Sequence, residues 1–80
     1  MELPDQRWVT MAQISKRGDQ SVYTLVNTGG IAPTIDVSND GGATFVTLTE
    51  ASLADTAVDL ILSRDAAIRA TTNGATVNIT

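Results

Sequence analysis

Hydrophobic and polar positions alternate with period two in several short runs of this chain. In "ATVNIT" (75–80), Ala75, Val77 and Ile79 fall on one face and Thr76, Asn78 and Thr80 on the other. In "IAPTIDV" (31–37), Ile31, Pro33, Ile35 and Val37 share a face opposite Ala32, Thr34 and Asp36. In "AVDLILS" (57–63), Val58, Leu60 and Leu62 oppose Ala57, Asp59, Ile61 and Ser63. Such alternation predicts strands with one buried face. "WVTMAQI" (8–14) and "SVYTLVN" (21–27) are apolar on parts of both faces, as expected of central strands or of strands whose second face meets a partner.

Turn signals separate these runs: "SKRGDQ" (15–20), "NTGG" (27–30), "NDGG" (39–42) and "TNG" (72–74). Asn73-Gly74 is the strongest hairpin signal, because both residues accept the positive φ of a type I′ turn. Pro33 lacks a ladder donor and predicts an edge strand or a bulge. The segment "TEASLADTAVDLIL" (49–62) also carries Leu53, Ala57, Leu60 and Ile61 at helical spacing, with Thr47 and Glu50 spaced as a capping box. A short helix near 50–56 followed by a strand from 57 reconciles the two patterns. The reading is all-β: a small antiparallel β-sandwich or barrel of about six or seven short strands. Residues 1–80 form one β domain, with 1–7 as a candidate N-terminal arm.

Composition narrows the chemistry. The 80 residues include no cysteine and no histidine, so disulfides are excluded and a zinc or transition-metal site lacks its usual ligands. Ser–His–Asp and Cys–His nucleophilic catalysis are excluded for the same reason. A chain this short builds a modest core, and oligomerisation or attachment to a larger body is the staple left to it. Net charge is −4, and the five Lys and Arg residues are scattered among nine carboxylates, which argues against nucleic acid as a partner. "MELPDQRW" does not read as a signal peptide, and the apolar run "LIL" (60–62) is too short to cross a membrane. Asp36, Asp59 and Asp65 are the carboxylates to consider for acid–base work; Asp36 and Asp59 are expected on outward, solvated strand faces. Ser38, Asn39 and Asp40 lack the second acidic residue a calcium loop wants. Arg17-Gly18-Asp19 reads as a polar turn rather than an adhesion signal. No cofactor is implied, and the chain does not read as an enzyme.

"SNDGGATF" places Ser38, Asp40, Gly42, Thr44 and Phe45 in the Ser-x-Asp-x-Gly-x-Thr-aromatic pattern. It resembles the Asp-box, a hairpin motif of sialidase-type propellers and several unrelated β folds. The resemblance implies that Asp40 staples a turn between strands 31–38 and 43–48, that Gly42 permits its backbone, and that Phe45 packs inward. A propeller needs more strands than this chain holds, so the motif implies a hairpin and not a sialidase. Trp8 is expected as a core plug or arm anchor, and Trp8 and Tyr23 are the aromatic residues available to an interface.

Over its whole length, in stretches such as "AAIRATTNGATVNIT" (66–80), the chain resembles small virion proteins of tailed bacteriophages: capsid decoration (cement) proteins and minor tail or fibre modules. That resemblance implies a non-enzymatic structural protein, made in the host cytoplasm and carried in the virion. Its partners would be a capsid or tail lattice and its own copies in a symmetric homo-oligomer. The alternative is a small carbohydrate- or protein-binding β module built around the Asp-box hairpin.

Overall fold

A computed structural model describes residues 1–14 and 20–80. Arg17-Gly18-Asp19 and most of the "SKRGDQ" turn lie outside the described residues. Seven strands follow in order: β1 (Trp8–Thr10), β2 (Gln20–Thr28), β3 (Thr34–Ser38), β4 (Val46–Thr47), β5 (Ala57–Ser63), β6 (Ala67–Thr71) and β7 (Thr76–Ile79). They form two antiparallel sheets, one ordered β1-β6-β3-β4 and the other β5-β2-β7. The protein is all-β and sandwich-like.

The period-two pattern sets which face each strand buries. On β2, Tyr23, Leu25 and Asn27 are buried while Val22 and Val26 are exposed. The register places Leu25 between Val58 of β5 and Ile79 of β7, so these apolar residues share the inner face. The other sheet contributes Val9, Ile35 and Ile68, and both inner faces merge into one core with Leu3 and Met11. Tyr23 is only 1 % exposed, which removes it from the candidate interface residues.

Four local expectations are corrected. The first concerns Asn73-Gly74, which does form a tight turn: both residues have positive φ (53° and 98°), and the Ala75 N–H donates to the Thr72 carbonyl at 2.8 Å. The strands it joins do not pair, however. β6 pairs with β1 and β3, and β7 with β2, so the turn carries the chain from one sheet to the other. Second, Pro33 is buried just ahead of β3, which is an interior strand, so it removes no ladder bond. Third, "WVTMAQI" is a strand only over Trp8–Thr10 and then tightens into a 3-10 turn, Met11–Ile14, that buries Met11.

The fourth is the segment 50–56, which holds turns and no helix. Two of its carbonyls are taken by a side chain of β2, and its own Ser52 and Asp55 side chains bond backbone groups elsewhere. Asn27 Nδ2 donates to the carbonyls of Ala51 (2.6 Å) and Leu53 (3.2 Å). Ser52 Oγ donates to the Leu48 carbonyl (2.6 Å) and accepts from the Ile35 N–H (2.9 Å). Asp55 has φ 48° and accepts from the Gly30 N–H at 3.0 Å. Side-chain bonds of this kind compete with helical ones, and a left-handed residue ends any helix.

The N-terminal arm laces the two sheets along one side. Its first residues extend the three-stranded sheet beyond β7: the Leu3 N–H donates to the Val77 carbonyl (2.8 Å) and the Ile79 N–H to the Met1 carbonyl (2.9 Å). A few residues later the Gln6 N–H donates to the Ala70 carbonyl of β6 at 2.7 Å, and Asp5 Oδ1 accepts from the Thr72 N–H at 2.8 Å. Leu3, between these anchors, is buried in the shared core. We predict that Leu3→Ala lowers unfolding free energy by about 3 kcal/mol in urea titrations. A loss under about 0.5 kcal/mol, the range typical of an exposed site, would contradict the lacing role.

Candidate functional site

The loop from β3 to β4 is built by its own side chains. Ser38 Oγ accepts from the N–H groups of Gly42 (2.9 Å) and Asp40 (3.2 Å) and donates to Asp40 Oδ1 (2.7 Å). Asp40 Oδ1 also accepts from the Thr44 N–H (2.9 Å), and Oδ2 from the Thr44 hydroxyl (2.6 Å). These donors hold the Asp40 carboxyl down to about 2, the Thr44 hydroxyl most strongly, then the Thr44 N–H and the Ser38 hydroxyl. β3 and β4 pair directly below the loop, with Asp36 opposite Thr47 and Val37 opposite Val46. Gly42 has φ 103°, and a Cβ there would stand 2.5 Å from Trp8 Nε1. The position therefore needs glycine for its backbone and for the indole lying against it.

Beside this hairpin one cross-strand row runs over the outer face of the four-stranded sheet. Trp8 of β1 is opposite Arg69 of β6, Arg69 is opposite Asp36 of β3, and Asp36 is opposite Thr47 of β4. Arg69 donates to Asp36 Oδ2 from Nη2 (3.0 Å) and Nε (3.3 Å), and the Thr47 hydroxyl donates to Asp36 Oδ1 at 2.6 Å. The guanidinium carbon sits 4.6 Å from the Trp8 ring centroid and 4.7 Å from that of Phe45, so two aromatic rings clamp the cation. The rings themselves meet at 5.8 Å with planes tilted by 58°.

This row overturns three expectations. Asp36 is 3 % exposed rather than solvated, with Arg69 and Thr47 from the strands on either side bonded to its two oxygens. Phe45 is 49 % exposed and serves the outer clamp, not the core. Trp8 is half-buried on the outer face instead of plugging the interior. Arg69 was not picked out by sequence reasoning. Its signal was available: it is the lone cation in "AIRAT", between Ile68 and Ala70, which the alternation turns inward.

The arrangement holds structure more readily than it performs chemistry. Both Asp36 oxygens and both Asp40 oxygens are engaged by donors. Asp59 lies on the other sheet, where it accepts from the Thr24 hydroxyl at 2.8 Å, and Asp65 is exposed in the β5–β6 turn. The three carboxylates are not brought together. Among the described residues no group of three metal-ligating side chains gathers. Compared with protein-family profiles, curated proteins and solved structures, the chain matches none.

Two other surfaces stand out. On the outer face of the three-stranded sheet, Val22 (54 % exposed) lies opposite Ile61 (65 %), and Val26 opposite Ala57, with the Thr24–Asp59 bond between them. Between the β4 and β5 sides of the molecule lies a cleft of about 280 Å³ lined by Leu48, Ala51, Val58 and Leu60.

The Asp40 staple has a pH signature. Its carboxyl is lowered from 3.8 to about 2 on folding, so the stability it adds is fully present above about pH 4 and is lost as pH falls toward 2. Urea midpoints measured between pH 5 and 2 are expected to fall less steeply in Asp40→Asn than in the parent. Superimposable acid limbs would show that Asp40 does not carry the turn.

Proposed function

We propose that this protein is a non-enzymatic structural module of a virion, which binds the outside of a capsid or tail lattice and reinforces it. The observation that carries the reading is the two exposed apolar pairs, Val22 with Ile61 and Val26 with Ala57, on the outer face of the three-stranded sheet. Side chains of this kind clustered in the open mark a surface made for contact. Lattice attachment needs complementary surfaces and no active site, and Asp36, Asp40 and Asp59 are each engaged in a turn or a cross-strand bond. The overall resemblance to small phage virion proteins supports the same reading.

A carbohydrate-binding module is the second reading, favoured by one observation: Trp8 and Phe45 both reach the surface beside the Asp-box hairpin. Sugar rings stack on open aromatic faces, however, and here each ring gives one face to Arg69.

Quantitative mass spectrometry of particles purified from a culture that makes this protein tests the proposal. The protein is expected in a fixed ratio to the major shell or tail subunit. Val22→Asp, an exposed substitution, is expected to unfold at an unchanged temperature yet reduce incorporation at least about tenfold. Absence from purified particles, together with glycan binding that Phe45→Ala abolishes, would replace the proposal with the carbohydrate reading.

A further inference from the structure

We propose that two copies of this chain join edge to edge through β5, giving a closed two-fold dimer with one continuous six-stranded sheet. This rests on the assembly reading above and names the first partner in it. The four-stranded sheet ends in β1, three residues long, and β4, two residues long, both too short to template another strand. In the three-stranded sheet, the outer side of β7 is occupied by Met1–Leu3. That leaves β5, seven residues long, with no strand on its far side among the described residues.

The free edge is defined atom by atom. The Asn27 N–H donates to the Thr56 carbonyl, which fixes the phase of the β2–β5 ladder. Thr56, Val58, Leu60 and Leu62 bond toward β2, so the N–H and C=O groups of Ala57, Asp59, Ile61 and Ser63 point away from it. Nothing on this strand blunts the edge: it carries no proline, no lysine and a single charge, Asp59.

The side chains select a second copy as the occupant and also select its register. With the two-fold axis at Leu60, Ala57 faces Ser63, Asp59 faces Ile61, and Val58 faces Leu62 of the other copy. Every outward backbone group is then paired, and no carboxylate stands opposite another. Shifting the strand one way puts Asp59 against Asp59, and shifting it the other way leaves Ala57 unpaired. The same symmetry brings the turn carrying Arg64 and Asp65 beside the turn carrying Asp55, so the strand ends add no net charge complementarity and the register is set by the ladder itself. On the inner face, Leu60 meets its own copy, and the half-buried Val58, Leu60 and Leu62 gain cover at the open side of the sandwich. Because β7 is already covered by the arm, pairing stops at two copies and does not run on into a fibre.

Light scattering after size exclusion, over a concentration series of the full chain, should give a dimer that dissociates on dilution. The chain has no cysteine, so Leu60→Cys, on the axis, should oxidise to a covalent dimer, while Val22→Cys should not. Ile61→Pro deletes an outward N–H and leaves the β2 ladder intact. It should weaken association at least about tenfold, since two symmetry-related hydrogen bonds are lost. Ile61→Thr, which keeps the N–H, should not weaken it to that extent. A monomer at every concentration with no Leu60→Cys cross-link, or a dimer indifferent to Ile61→Pro, overturns the inference. Incorporation into particles is read separately, on the parent chain: particles that take up a parent chain found monomeric at every concentration sink the dimer but spare the lattice reading, whereas a parent dimer absent from particles does the reverse.

Discussion

The outer face of the four-stranded sheet depends on one ion pair. Asp36 is a buried carboxylate on an interior strand, and a charge in such a place is tolerated only when it is fully partnered. Arg69 supplies two N–H donors and Thr47 a hydroxyl, so both oxygens are satisfied. The geometry of the pair then organises its neighbours. Arg69 must lie flat across the sheet to reach Asp36, and in that pose its guanidinium offers faces to Trp8 and Phe45. Trp8 comes from the first strand and Phe45 from the hairpin, so one cation ties the outermost strands of the sheet to its centre.

The Asp-box loop is the second part of this arrangement. Ser38 and Asp40 close the loop with local hydrogen bonds, and Gly42 lets the indole approach where any side chain would collide with it. The aromatic of the motif, Phe45, is thereby delivered to the outside of the sheet. A motif that in larger β folds would be expected to anchor a hairpin inward here serves a clamp on the opposite face. The reason is register: Thr47 stands on the outer face opposite Asp36, and Phe45, two residues before it, shares that face.

Much of the fold was legible from period-two alternation, because burial on one face is a local property of each strand. Val58, Leu60 and Leu62 turn inward and Ile61 outward, as their spacing says. What alternation cannot encode is which strands pair. Asn73-Gly74 has the backbone of a hairpin turn, yet its flanking strands go to different sheets, since β6 is already paired on both sides by β1 and β3. The segment 50–56 has helical spacing, but its Ala51 and Leu53 carbonyls are claimed by the Asn27 side chain of β2, at least 24 residues away in sequence. Asp36 looked solvated because alternation says only that a residue is opposite the core. It does not say that an arginine from the neighbouring strand will lie over that face and bond the carboxylate. The same distinction explains why Tyr23 read as a candidate contact residue and is instead part of the core.

The claim most exposed to test is that Asp36 and Arg69 act as one unit. A double-mutant cycle with Asp36→Ala, Arg69→Ala and the double variant, read as unfolding free energy in urea, measures that coupling directly. Each single change should cost more than the pair of changes would suggest, because it strands the other charge, leaving a coupling of about 1–3 kcal/mol. Additivity within about 0.3 kcal/mol would contradict the account: the row across the sheet would then be an adjacency of independent residues, and the clamp would owe its geometry to something else.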